Sequence, residues 1–149
     1  MTKQQLKEDL KQSMLAKDAD KTSTLRMVIS ALGYYEIDKG GAGYEATEED
    51  IETILQKQAK QRRDSIEQFK AGGRDELAAK ETKELELIES YLPKQMDEEE
   101  VKMLVDEAVA QTGATTASDM GKVMGALMPK IKGKADGSLV SRLVKEKLQ

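Results

Sequence analysis

The chain of 149 residues has no cysteine, no histidine and no tryptophan, and only two prolines. Without cysteine there is no disulfide, no thiolate nucleophile and no Cys-based zinc site. Without histidine the commonest general base and transition-metal ligand are also missing. Aromatic residues make up 3% of the chain and none follows Tyr91, which argues against base stacking in the C-terminal part. No stretch approaches the roughly 20 apolar residues of a membrane span. The first fifteen residues read as charged helix rather than as a signal peptide's apolar run. The expected address is cytoplasmic, with no membrane partner.

What is present is enough for a core: 38% hydrophobic residues beside 35% charged ones. Their spacing is helical throughout. Thr2 caps a first helix carrying Leu6, Leu10, Met14 and Leu15, expected to run to about Lys17. Leu25, Val28, Ile29 and Leu32 mark a second helix that fades near Lys39. Gly40–Gly43 is then expected to be a flexible connector. Thr47 with Asp50 resembles a capping box opening a third helix, with Gly72-Gly73 as its left-handed end.

Within that third helix the stripe turns polar at Gln58 and Arg62 before Ile66 and Phe69. Either the helix meets a partner there, or Ala59 and the stems of Gln58 and Arg62 cover the core edge while their heads reach water. A fourth helix with Leu77, Leu85, Ile88, Tyr91 and Leu92 is expected to run to Pro93. The acidic run Asp97 to Glu100 suits the positive end of a fifth helix dipole better than a metal, and Val101, Leu104, Val105, Ala108 and Val109 face inward up to Gly113. The expected architecture is all-α, with about seven helices. A helical domain spans 1–92, a linker 93–96 and a small helical domain 97–149.

The last thirty-two residues stand apart. From Ser118 onward there are seven basic residues against three acidic ones, while the whole chain has a net charge of −4. A basic tail on an acidic body can attract phosphate. Ser118 reads as an N-cap, and Met120, Val123, Met124, Leu127 and Ile131 trace one apolar face, where methionines suit adaptable packing. The opposite face holds Gly121 and Gly125 beside Lys122. Glycine inside a helix costs roughly 0.5 to 1 kcal/mol relative to alanine, so two ask for a reason. Close crossing by another helix is the commoner one; approach of a sugar-phosphate chain is the other. Pro129 is expected to kink or end this helix. Lys130, Lys132, Gly133 and Lys134 then form a loop before a last helix capped by Asp136. Backbone N–H groups at that helix start can join the lysines in holding a phosphate, although a merely solvated loop reads equally well.

The run DMGKVMGALMPKIKGKADGSLVSRLVKEKL resembles the signature of the GatB/YqeY family, and YLPKQMDEEEV and QRRDSIEQF resemble its earlier blocks. The similarity to free-standing YqeY-like proteins covers essentially the whole chain. It implies two helical parts, the second shared with the B subunit of tRNA-dependent amidotransferases, carbon-nitrogen ligases with glutamine as amido donor. There the tail helps to hold tRNA. By that resemblance the contact residues are Gly121, Lys122, Gly125, Lys132, Gly133 and Lys134, with Asp136 starting the last helix; Lys130 and Arg142 of the basic tail are expected to join them in contacting nucleic acid. Their role is contact, so no catalytic residue, metal or cofactor is expected. The function implied is a tRNA-binding or tRNA-metabolism accessory protein, with tRNA and a larger tRNA-modifying or translation-related enzyme as partners. The alternative is a helical interaction module docking on a larger enzyme through residues 58–69.

Overall fold

A computed structural model describes residues 1–149. The fold is all-α, with seven helices and no strand. The chain divides into two compact units, Met1–Leu92 and Pro93–Gln149.

The first unit contains α1 (Lys3–Leu15), α2 (Ala19–Gly40), α3 (Glu48–Ala71) and α4 (Asp75–Ser90). Its core gathers Leu6 of α1, Leu25, Val28 and Leu32 of α2, Ile51, Ile54, Leu55 and Ala59 of α3, and Ile88 of α4. Burying each large aliphatic side chain contributes about 1.5 to 3 kcal/mol. Capping boxes open α1 at Thr2 and Gln5 and α3 at Thr47 and Asp50, satisfying N–H groups that the first helical turn leaves unpaired. The first helix stops at Leu15, two residues short of expectation, because Lys17 adopts a left-handed φ of 57°. Of its apolar positions only Leu6 enters the core fully; Met14 and Leu15 face solvent. On α4 Ala78 is buried along with Ile88, whereas Leu77 points outward. That helix ends at Ser90, before Pro93, with Tyr91 as its C-cap.

The glycine connector is held rather than loose. Gly41–Gly43 forms a short 3-10 turn. Beyond it the Tyr44 hydroxyl donates to Asp50 Oδ2 at 2.6 Å, and the Tyr35 hydroxyl donates to Oδ1 at 2.6 Å. Lys39 Nζ donates to the Tyr35 hydroxyl oxygen and to Asp50 Oδ1, and lies over both tyrosine rings. These bonds, those from the phenols foremost, hold the Asp50 carboxyl far below the usual carboxylate range and push the Tyr44 phenol up. Lys3 and the Ala46 N–H likewise lower Glu36, the Lys3 hydrogen bond most.

The polar break in α3 is a packing feature. Ala59 is buried, and so is Arg62, whose guanidinium donates to Glu84 Oε2 and Gln58 Oε1. The expectation that the Arg62 head reaches water is corrected: an acid from α4, 22 residues onward, receives it. Paired and hydrogen-bonded, a guanidinium tolerates burial.

The second unit contains α5 (Glu98–Thr112), α6 (Met120–Ile131) and α7 (Gly137–Lys147). Val101, Val105, Ala108, Val123, Leu127, Ile131, Val140, Leu143 and Val144 form its core. The acidic run has the structural role its position suits: Asp97 and Glu100 make the capping box of α5, which ends on left-handed Gly113.

Two expectations about α6 need correction. Ser118 is not its N-cap but lies inside a 3-10 turn, Ala117–Asp119, closed by Thr116 and Asp119. Asp119 accepts the N–H groups of Thr115 and Thr116, which lower its pKa. Of the kink or end expected at Pro129, the end is excluded, since the helix continues to Ile131. The carbonyl that proline leaves unpaired belongs to Gly125, an exposed residue where water can take its place.

Candidate nucleic-acid interface

Helix α6 sorts its residues by face. Val123, Leu127 and Ile131 are buried, with Met120 and Met124 partly covered beside them. The other side presents Gly121, Lys122, Gly125, Met128, Pro129 and Lys130, all exposed. A Cβ added at Gly121 or Gly125 would meet no atom within 4 Å. No helix of this chain crosses close enough to explain these glycines. Their backbone is an open surface.

At the end of α6, Lys132 is the C-cap, and its N–H donates to the Met128 carbonyl. Gly133 follows in the left-handed region, with φ of 79°, where a side chain would be strained. It is buried, and its carbonyl accepts from Gln95 Nε2 at 2.9 Å. The Met96 N–H donates to the Lys134 carbonyl at 2.7 Å. These two bonds tie the loop to the segment before α5. The Lys132 and Lys134 side chains remain exposed on a backbone of fixed shape. Asp136 caps α7 by accepting the Ser138 N–H.

Four other cations of the unit lie near acids. Lys130 Nζ lies 2.8 Å from Glu107 Oε1, and Arg142 donates to Glu98 at 3.3 Å while also pairing with Glu146. Lys147 pairs with Asp106, and Lys122 lies 3.7 Å from Asp119. Nine basic residues of this unit face nine acidic ones, so the positive tail is neutralised by α5 within its own unit. Of the expected contact set, Gly121, Lys122, Gly125, Lys132 and Lys134 lie on or just beyond the open strip. Gly133 serves as the turn's hinge. Lys130 and Arg142 are engaged by α5. The acids that engage them, Glu107 and Glu98, were not among the expected site residues. They act across 23 and 44 residues of sequence, a separation that helical periodicity does not report.

The family model of the YqeY-like proteins matches residues 3–148. The chain belongs to this family. Among curated YqeY-like relatives it is 43% identical over 97 residues to "Altered inheritance of mitochondria protein 41, mitochondrial" of Clavispora lusitaniae, covering 63% of this chain and 55% of that protein. It is 39% identical over 108 residues to the protein of that name from Vanderwaltozyma polyspora, covering 68% and 57%. With the Saccharomyces cerevisiae protein it shares 36% over 114 residues, covering 72% and 60%. The match thus spans somewhat over half the length of these relatives. Their names correct one expectation. A cytoplasmic address was expected, yet relatives this similar are named as mitochondrial.

Proposed function

We propose that this YqeY-like protein is a tRNA-binding accessory protein, without catalysis of its own, that grips the sugar-phosphate backbone with the open strip of α6 and the loop after it. The observation that carries this reading is the bare face at Gly121 and Gly125, which have no packing neighbour to account for them. Such a surface lets a phosphate chain approach the helix backbone to contact distance. Lys122 flanks it, and Lys132 and Lys134 stand at its end, ahead of the N-terminus of α7. With no aromatic residue in this unit, recognition is of backbone and shape. The neutral balance of the unit makes the attraction local to the strip.

A protein-docking role for residues 58–69 has less support, because Ala59 and Arg62 of that segment are buried.

The test is tRNA binding by the full chain across a salt series. Replacing Lys132 and Lys134 together by alanine should weaken binding to all tRNAs and reduce the slope of log K against log salt by about one to two units. The melting temperature should stay near that of the wild type. Wild-type protein without salt-dependent tRNA binding, or a double variant that binds like wild type, overturns the reading.

A further inference from the structure

The end of α1 and the start of α2 leave an apolar surface without an intramolecular cover. Met14 is 51% exposed, Leu15 70% and Met27 41%, although α1 spaces its apolar residues as a buried stripe would. The surface is concave. One depression of about 380 Å³ runs along α1 past Leu10, Met14 and Leu15. A second of about 520 Å³ lies between Met14 and Met27. Met14 lines both, so the two depressions adjoin at its side chain and together are called the groove.

Its rim is basic. Lys7 and Lys11 border the first depression, Lys17 and Arg26 the second, and none of the four makes a salt bridge with an acid. This is notable in a unit where nineteen acidic residues outnumber fifteen basic ones. The acid within the groove, Asp18, is committed to capping α2 through the Lys21 N–H. The groove is also rigid. The turn is closed by Lys17 N–H to Met14 O and Asp18 N–H to Ser13 O. Beneath it, the buried Ser13 and Thr22 hydroxyls bond at 2.9 Å. Lys17 holds a left-handed φ of 57° that glycine would adopt at less cost, which keeps a cation on the rim.

We propose that this groove docks an acidic amphipathic helix of a partner protein, its leucine-like side chains entering the two depressions and its carboxylates meeting the four cations. Charge complementarity selects that occupant. Two adjoining depressions can take a row of side chains at i, i+3 or i+4 and i+7, which a lipid surface does not supply. The apolar floor gives a phosphate backbone nothing to contact.

The probe is a fluorescein-labelled synthetic helix of about 18 residues with leucines at i, i+4 and i+7 between glutamates, read by anisotropy against the full protein. The controls are a lysine-for-glutamate version and a scrambled version. The glutamate helix should bind and both controls should bind at least tenfold more weakly. Lys7→Glu with Lys11→Glu, and separately Leu15→Asp, should each weaken binding at least tenfold with unchanged helicity. Lys17→Gly is the decisive variant: it should weaken binding while leaving the melting temperature equal or higher, an effect that a purely structural lysine would not produce. The proposal is overturned if the glutamate helix does not bind, if the controls bind equally, or if the variants bind like wild type. It is also overturned if Leu15→Asp instead abolishes self-association of the protein alone or binding to phosphatidylserine vesicles. The first of those would assign the groove to a second copy of this chain, the second to a membrane.

Discussion

Arg62 donates from Nε to Glu84 Oε2 at 3.2 Å, with side chains only 7% and 11% exposed. The pair joins the middle of α3 to α4, where the apolar stripe of α3 gives out. Breaking such a pair from one side leaves a buried charge uncompensated. We expect Glu84→Ala to destabilise the protein by about 3 kcal/mol, with Gln58 retaining part of the guanidinium's bonding. Replacing both, Arg62→Met with Glu84→Leu, should recover most of that loss, to within about 1 kcal/mol of wild type. Urea unfolding of the wild type and the two variants checks this. A double variant as unstable as the single one would mean that packing, not charge compensation, governs the site.

Asp50 supplies a pH signature. Its carboxylate accepts from Tyr35, Tyr44, Lys39 and Thr47, and these bonds depress its pKa in the folded state. A depressed pKa makes the stabilisation fully present above the unfolded-state value, about 3.9, and loses it as pH falls below that toward the folded-state value. Asp50→Asn should therefore be less stable than wild type at pH 7, and the difference between their urea midpoints should shrink at pH 3. A gap that stays constant over that range would remove the charge of Asp50 from the account.

The helices were legible because their signals are local. Thr2, Thr47 and Asp97 each carry a capping partner three residues on, and Gly113 ends its helix as a left-handed cap. What was not legible depends on distant partners. Nothing near Arg62 in sequence announces Glu84, and nothing near Arg142 announces Glu98. The clamp on Asp50 leaves a trace in that Tyr35 and Tyr44 flank the glycine connector, but no local spacing ties either phenol to Asp50. At the candidate interface the spacing of Gly121 and Gly125 put both on the side of α6 away from Val123 and Leu127, and both are exposed. Whether that face was covered or bare depended on where α5 and α7 pack, which periodicity within α6 does not determine.

Gly125 separates fold from function by substitution size. It lies inside α6 with open space where a Cβ would stand, so no contact opposes a side chain there. Alanine should raise stability by about 0.5 to 1 kcal/mol, the usual gain from replacing an interior helical glycine. Leucine, also a good helix former, should leave the melting temperature no lower than that of wild type. On the proposed interface the two differ. A methyl group sits close to the helix surface, whereas an isobutyl group holds a phosphate chain several ångströms away. Gly125→Leu should therefore weaken tRNA binding at least tenfold, about 1.4 kcal/mol, with its fold intact, and Gly125→Ala should weaken it much less. A stable leucine variant that binds tRNA like wild type would remove the bare face of α6 from the interface and leave the loop lysines as the remaining contact. A leucine variant that loses stability would instead return the glycine to a packing role.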